Sequence, residues 1–305
     1  MRDRPERAQR WAFVALLLGA TGIGFAPIFV RLADVGPVSS AFWRMALALP
    51  PLALWRLMRA DGSPARRLAP PADRRSLLLI AAAGGFFAAD LGFWHWSIKL
   101  TSVANATLLA NLNPVFVALT GFVFLGHRFR PLFLFAMALA LAGAVVLMGR
   151  SVEISAERVI GDLLGVATAM MYAGYFLSTA ALRSRHDTWT VLFYSVLITA
   201  LVLGPLAAAS ETALLPRSPK GWLVVVALAL VCQIAGQGLI VFALAHLPPA
   251  FSALSLLLQP VVAAAAAWVL FGEALGAGEL AGAALVLAGI WLARLSVLGR
   301  RRAAG

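Results

Sequence analysis

Long apolar runs alternate with short polar or basic connections along almost the whole chain. A helix needs about 20 predominantly apolar residues to cross the hydrocarbon core of a bilayer. On that criterion the pattern predicts ten transmembrane helices, at approximately residues 11–31, 38–58, 76–98, 101–125, 130–149, 160–182, 188–209, 220–245, 248–271 and 278–297. The connections between these runs are too short for a soluble domain. The sequence therefore predicts an all-α fold, a polytopic membrane protein with ten transmembrane helices.

One stretch of this pattern occurs twice. Residues 113–143, NPVFVALTGFVFLGHRFRPLFLFAMALALAG, return 146 residues later at residues 259–289 as QPVVAAAAAWVLFGEALGAGELAGAALVLAG, with no gap. Eleven of the 31 positions are identical, and Gly126 aligns with Gly272. Aligned prolines and glycines carry more weight than Ala or Leu, because an apolar composition raises the number of chance matches. An internal repeat in a hydrophobic chain indicates a transporter built from two related halves.

The two predicted halves, residues 11–149 and 160–297, contain five helices each. If the N-terminus is cytoplasmic, the segments on that side hold 18 of the 25 Lys and Arg residues and the segments on the other side hold 6. This bias predicts that both termini are cytoplasmic. Because five is odd, the second half enters from the opposite side, so the repeats are inverted. Two oppositely oriented bundles can pack in two nearly equivalent ways, each open to one side, which is the physical basis of alternating access.

The composition agrees with a lipid environment. The chain is 62% hydrophobic and 12% charged, with a mean hydropathy of +0.89, whereas a soluble protein carries about 25% charged residues. The net charge of +12 lies in short basic clusters between apolar runs, which is typical of topology signals and of contact with anionic headgroups, not of nucleic-acid binding. The single cysteine, Cys232, excludes an intramolecular disulfide and a cysteine-based metal cage. The run from Trp11 to Val30 is longer than the apolar core of a signal peptide, about 7–15 residues, so it is interpreted as an uncleaved first helix.

Four segments carry a resemblance to a known family. They are SAFWRMALALP in the second predicted helix, TSVANATLLANLNPVFVALTGFVFLGHR in the fourth, GDLLGVATAMMYAGYF in the sixth and LPPAFSALSLLLQPVVAAAAAWVLFGE in the ninth. With these segments the chain resembles the drug/metabolite transporter superfamily, EamA-type branch, over nearly its whole length. The resemblance implies a secondary transporter of the cell inner membrane that exports a small metabolite such as an amino acid. The sequence departs from the pattern at His127, where similar members often carry an acid, as Glu273 does in the second half.

Two ionisable residues lie well inside predicted helices, Arg44 and Asp90. A charged group at membrane depth costs about 2.5–3.5 kcal/mol or more, so both are functional candidates. The helical rise places Arg44 about 9 Å and Asp90 about 12 Å from the same side of the membrane, which makes a pair between them feasible. One interpretation is a structural pair in which each charge neutralises the other. The other is that Asp90 is a proton site, released when substrate or a conformational change alters its access to Arg44.

Aromatic residues share the helical face of Asp90. Phe86, Phe93 and Trp94 lie on that face by their i, i+4, i+7, i+8 spacing. An acid flanked by aromatic rings could hold a cationic amine. The alternative is that the rings pack against neighbouring helices, with His95 and its tryptophan neighbours forming an outer interfacial belt.

Uncharged polar side chains recur in the predicted helices, and in lipid they must face the interior of the bundle. Either they hold helices together, at about 0.6 kcal/mol each, or they line a water-accessible cavity for a small polar solute. The candidate binding residues are therefore Arg44, Asp90, Trp94, Asn105, Asn111, Asn113, Tyr172, Tyr175, Gln233, Gln237, Ser255 and Gln259. Pro114 and Pro260 each free a carbonyl in the preceding turn, which either lines the cavity or only marks a kink.

Small residues form stripes in the fifth and tenth predicted helices, at Ala136, Ala140 and Gly143 and at Gly278, Gly282 and Gly289. Such stripes let helix backbones approach closely, so they predict a scaffold seam between the halves. The chain has no HExxH, GxSxG or P-loop motif, and no metal site, cofactor or enzymatic activity is expected. The expected partners are the lipid bilayer, a small-molecule substrate and protons, for a monomer or weak homodimer. The alternative functions are a lipid flippase or scramblase and a structural membrane scaffold.

Overall fold

The computed structural model of the protein describes residues 3–59, 68–148 and 158–302. Its helices fall into ten spans, which we number in chain order. They are Asp3–Gly24 and Ala26–Leu32 in span 1, Pro37–Ala46 and Leu49–Arg59 in span 2, Arg74–Leu100 in span 3, Val103–Ala110 and Asn113–Leu125 in span 4, Pro131–Met148 in span 5, Val159–Arg183 in span 6, Thr188–Ser210 in span 7, Pro219–Ala243 with a π-helical middle at Leu228–Gln237 in span 8, Pro249–Ser255 and Leu258–Phe271 in span 9, and Ala277–Arg302 in span 10.

Nine helices in the described part of the chain are long and apolar enough to cross a membrane. They correspond to span 1 and to spans 3–10. Span 2 is not among them, and it is less apolar because it carries Arg44, Arg56 and the pair Pro50 and Pro51. The described residues form helices and connections without strands, so the prediction of an all-α, polytopic membrane protein is confirmed.

The repeated stretch folds in the same way both times. The second helix of span 4 ends at Leu125, and the second helix of span 9 ends at Phe271, 146 residues later. The next residue is glycine in each case, with φ of 65° at Gly126 and 68° at Gly272. This left-handed conformation ends a helix and is open to glycine without a steric penalty. The aligned glycines of the sequence therefore set the same helix end in both copies.

Spans 4 and 9 are each broken shortly before the aligned prolines. The breaks fall at residues 111–112 and 256–257, and Pro114 and Pro260 lie in the first turn of the helix that follows. Proline is tolerated in a first turn because its missing N–H would have no helical partner there. The carbonyl of Leu256, four residues before Pro260, accepts a hydrogen bond of 2.9 Å from the backbone N–H three residues after it. The carbonyl that Pro260 leaves without its usual donor is therefore bonded in a tighter turn, at the break in the helix.

Spans 5 and 10 pack tightly against each other along small residues. A Cβ atom added to Gly143 would lie 2.7 Å from the carbonyl oxygen of Gly282, and one added to Gly282 would lie 2.7 Å from that of Gly143. A Cβ at Gly289 would lie 2.6 Å from Cβ of Ala140. Around Gly278 there is open space. The predicted stripe therefore lies in this contact except for Gly278, which precedes the close approach.

We call the end of the bundle that carries residues 33–36 and 101–102 the far end. At this end two acids join the first half of the chain to the second. Asp34 accepts hydrogen bonds from the backbone N–H and the hydroxyl of Ser218, at 2.9 and 2.8 Å, where span 8 begins. Glu211 accepts from the N–H groups of Val38 and Ser39, at 2.9 and 2.8 Å, where span 2 begins. The Ser218 hydroxyl is the main reason why the pKa of Asp34 lies below its ordinary value of 3.8. Each acid thus caps a helix N-terminus of the other half.

Candidate functional site

A cavity of about 210 Å³ lies between spans 1, 2, 3, 4, 6, 8 and 9. Nine residues predicted from the sequence line it, and these are Arg44, Asp90, Trp94, Asn111, Asn113, Tyr172, Gln237, Gln259 and Pro260. Ser40, Thr107 and Thr168 add three hydroxyls to the wall. Polar groups from both halves of the chain therefore converge on one interior space.

The cavity occupies the middle of the bundle and the half toward the far end, because its lining extends to Val30, Ser40 and His95. The opposite half, which carries residues 126–130 and which we call the near half, is packed. There the helix Asn113–Leu125 of span 4 contacts the helix Pro249–Ser255 of span 9, and both contribute to one buried apolar cluster. Among the described helices, the other two segments of spans 4 and 9, Val103–Ala110 and Leu258–Phe271, make no comparable contact.

Arg44 is buried at the cavity wall, with 8% of its surface exposed. Its Nε donates a hydrogen bond of 2.9 Å to Oε1 of Gln233 in span 8. Its guanidinium carbon lies 6.0 Å from the ring centre of Phe87, which is within the range of a cation–π contact. In the described residues no nitrogen of Arg44 lies within 4.0 Å of a carboxylate oxygen of Asp90. The two charges therefore face the same cavity without forming the direct pair that equal depth made feasible.

Asp90 faces the cavity from span 3, with 8% of its surface exposed. Within the described part of the chain its carboxylate makes no hydrogen bond and no ion pair. The rings beside it in the cavity wall belong to Phe87, Trp94 and Tyr172. An acid with two unengaged oxygens next to aromatic faces can accept hydrogen bonds from a cation that enters the cavity.

The predicted aromatic face of span 3 is only partly formed. Trp94 lines the cavity, whereas Phe86 packs against span 6, where a Cβ on Gly174 would lie 2.9 Å from its ring. Phe93 is exposed on the outside of the bundle. Phe87 takes the cavity position, and its i, i+3 spacing to Asp90 is the sequence signal that could have identified it.

Two predicted binding residues lie behind the wall and hold lining residues in place. Gln233 bonds to Arg44, as described above. Tyr175 is fully buried, stacks on Phe87 with ring centres 4.5 Å apart, and its hydroxyl accepts a hydrogen bond of 2.8 Å from Nε2 of Gln237. Both glutamines lie in the π-helical segment of span 8, a geometry that is rare and frequent at functional sites.

Three further predicted residues do not line the cavity. Asn105 donates a hydrogen bond of 3.2 Å to Asp162 at the start of span 6. Ser255 donates to the carbonyl of Phe251 one turn earlier, at 3.0 Å. Pro114 is buried within span 4. Asn105 thus joins two spans at the far end, and Ser255 satisfies its hydroxyl within its own helix.

The interpretation that places His95 in an outer interfacial belt is wrong. His95 is 3% exposed and lines the cavity, with Nδ1 hydrogen-bonded to the carbonyl of Leu91. Span 3 continues to Leu100, so His95 lies more than a turn inside the helix end. Its i, i+4 spacing from Leu91 and i, i+5 spacing from Asp90 gave no clear signal. In the described residues no group of three His, Cys, Asp or Glu side chains is arranged to hold a metal ion.

The model of the EamA-like transporter family matches this chain twice, at residues 10–149 and 159–295. A protein of Archaeoglobus fulgidus named "Uncharacterized transporter" is 26% identical over 94% of this chain and 97% of its own length. The "Pseudopaline exporter CntI" of Pseudomonas aeruginosa is 27% identical over 81% of this chain and 82% of its own. The "Probable terminal-alkyne amino-acid exporter" of Streptantibioticus cattleyicolor is 28% identical over 96% of this chain and 92% of its own.

Among the solved structures with this fold is a crystal structure with a TM-score of 0.79 and 22% sequence identity, over 95% of this chain and 98% of that chain. The names of the sequence relatives indicate a transporter and not an enzyme. The membrane-length helices and the match of the family model to both halves of the sequence agree with these names. The chain therefore belongs to the EamA-like transporter family.

Proposed function

We propose that the protein is a secondary transporter that exports a small zwitterionic metabolite, such as an amino acid, by alternating access. It would act in the cell inner membrane, with both termini cytoplasmic and two inverted five-helix halves. The observation that carries the proposal is the pair of opposite charges, Arg44 and Asp90, that line one cavity without contacting each other.

A zwitterion satisfies both charges at once. A buried charge that lacks a partner is strongly unfavourable, so a ligand that brings an opposite charge to each group gains from both contacts. The carboxylate of an amino acid can accept two parallel N–H bonds from the guanidinium of Arg44. Its ammonium can donate to Asp90 beside the rings of Phe87, Trp94 and Tyr172.

The size of the cavity favours a small solute over a drug. Sites for drug-sized ligands enclose about 300–1,000 Å³, whereas this cavity encloses about 210 Å³. Asn111, Asn113, Gln237 and Gln259 supply amide groups that could orient such a solute. Ala26, Val30, Leu91 and Leu228 supply apolar wall for a side chain.

The unequal packing of spans 4 and 9 supports alternating access. The two spans hold the repeated stretch, and each is broken into two helices. Their segments toward the near half are in contact, whereas their segments toward the far end are not. If the halves are inverted copies, exchanging these two packings closes the far side and opens the near side around the same central residues.

The direction of transport is proposed from the relatives. Two of them are named as exporters, one of pseudopaline and one of a terminal-alkyne amino acid. Coupling to protons is proposed at Asp90, because an ammonium ion and a proton each neutralise the same carboxylate. If a single carboxyl can hold only one of the two at a time, substrate and proton cross the membrane in opposite directions.

The test is leucine counterflow in proteoliposomes made from the purified protein. The vesicles are loaded with unlabelled L-leucine, and radiolabelled L-leucine is added outside. We expect transient accumulation of label above the level in protein-free vesicles. A parallel sample measures scrambling of a fluorescent lipid. Movement of lipid without leucine would support the flippase alternative, and a folded protein that moves neither would contradict the transporter proposal for this substrate class.

A further inference from the structure

We infer that Gln233 is a positioning residue, which fixes the guanidinium of Arg44 so that its terminal N–H groups face the carboxylate of a solute. The inference rests on the proposed binding of a zwitterion. It replaces the sequence prediction that Gln233 itself contacts the solute, because Gln233 does not line the cavity.

The bond between the two residues fixes the orientation of both. Nε of an arginine can only donate, so the amide oxygen of Gln233 must be the atom that faces it. That bond is 2.9 Å long, and both residues are buried. Gln233 lies 189 residues from Arg44 in the sequence, so the bond joins span 2 of the first half to span 8 of the second.

The N–H groups of Arg44 that Gln233 does not use are the ones available to the carboxylate of a solute. A guanidinium carries five N–H groups in one plane, and one of them is used by Gln233. The ring centre of Phe87 lies 6.0 Å from the guanidinium carbon, and Phe87 is itself stacked on Tyr175. Tyr175 is held by Gln237, one turn along span 8 from Gln233. The π-helical segment therefore supports Arg44 through two glutamines, one directly and one through two stacked rings.

The amide of Gln233 is not explained by stability alone. Its Nε2 is buried and has no hydrogen-bond partner in the described part of the chain. A buried donor without a partner is destabilising, and an apolar residue of similar size removes that penalty. The only atom of the Gln233 amide that makes a hydrogen bond in the described part of the chain is thus its oxygen, which accepts from Arg44.

The experiment measures binding of three probes to the purified full chain by isothermal titration calorimetry. The probes are L-leucine, L-leucinamide, which lacks the carboxylate, and 4-methylpentanoate, which lacks the amine. In Gln233→Leu we expect the affinity for L-leucine and 4-methylpentanoate to fall about tenfold, because the solute must then order a guanidinium that Gln233 no longer holds. The affinity for L-leucinamide should not change.

Two further variants separate positioning from loss of structure. Gln233→Glu keeps an oxygen at this position but neutralises Arg44, so it should also weaken binding of L-leucine while strengthening binding of L-leucinamide. Cys232→Ala changes the neighbouring buried residue, which does not line the cavity, and should leave all three affinities as in the wild type. Thermal unfolding of each variant confirms that it is folded.

The outcomes are distinct. Equal affinities of the wild type and Gln233→Leu for L-leucine would overturn the positioning role and leave the proposed function intact. A parallel loss of affinity for all three probes would also overturn it, because a general distortion of the cavity is not selective for carboxylates. A wild type that binds neither L-leucine nor 4-methylpentanoate would overturn the zwitterion proposal, and the positioning role with it.

Discussion

Arg44 and Asp90 differ in how the protein supports them. Arg44 is fixed from two sides, by Gln233 and by the ring of Phe87, whereas Asp90 has no hydrogen bond to any described residue. The cavity therefore contains a cation in a fixed orientation, Arg44, which we call the fixed pole. It also contains an acid that is open to exchange its counter-ion, Asp90, which we call the exchangeable pole. The fixed pole suits recognition of a carboxylate, and the exchangeable pole suits competition between an ammonium ion and a proton.

The role of Asp90 is tested by Asp90→Asn in proteoliposomes with an imposed pH gradient. The amide cannot bind a proton in the relevant pH range, so gradient-driven accumulation of L-leucine should be lost. The affinity for L-leucine should also fall at least tenfold, or about 1.4 kcal/mol, because the ammonium loses its counter-charge. Asp187→Asn, at an acid that caps span 7 and does not line the cavity, is the matched control. An Asp90→Asn protein with the gradient dependence of the wild type would end the proton-site proposal.

At the residue scale the sequence identified the charges but not their contacts. Arg44 and Asp90 could be selected because ionisable groups are rare inside apolar runs. Gln233 is nearly two hundred residues from Arg44, so no local pattern could show that it, and not Asp90, accepts the arginine's hydrogen bond. His95 was misassigned because its tryptophan neighbours are typical of an interface, whereas the extra length of span 3 places it inside the bundle.

The helices themselves show which sequence signals act locally. Gly126 and Gly272 end their helices at equivalent positions because a left-handed residue is required there. That feature depends on the glycine alone and was visible in the sequence repeat. The π-helical middle of span 8, which packs against spans 1 and 2, was not predicted, because no proline or polar residue marks its start.

The contact between spans 5 and 10 gives a prediction for helix packing. Gly282→Ala places a methyl group against the backbone of span 5 and should lower stability by about 1–3 kcal/mol, the usual range for overpacking. Gly278→Ala, one turn earlier in open space, should leave stability unchanged or raise it slightly, since alanine favours the helix. Thermal unfolding in detergent compares the two variants with the wild type. Equal unfolding temperatures for both variants would contradict the close contact.

At the scale of the whole molecule the central feature is an asymmetry between two similar halves. The sequence repeat predicts that spans 4 and 9 have the same construction, and the equal helix ends agree. It cannot predict which pair of their segments is in contact, because both arrangements satisfy the same apolar pattern. The structure has the near half packed and the cavity toward the far end.

The capping acids at the far end limit which spans can move when the cavity changes the side to which it opens. Asp34 and Glu211 each cap a helix of the other half, so spans 1, 2, 7 and 8 are tied together there. We expect a change of state that leaves these bonds intact to move spans 4 and 9 relative to each other, because their far segments are not in contact. The far ends of spans 4 and 9 are therefore the positions where movement should be largest.

The most direct test of this account is a pair of distance measurements by double electron–electron resonance in a Cys232→Ala background. One spin-label pair, at Lys99 in the last turn of span 3 and at Ala274 just after span 9, reports the far end beside the start of span 4. A second pair, at Arg128 just after span 4 and at Ala245 between spans 8 and 9, reports the near end. These four residues are exposed and do not line the cavity. We expect addition of L-leucine or a change of pH to shorten one distance and lengthen the other. Distances that stay fixed, or that change in the same direction at both ends, would contradict alternating access around this cavity.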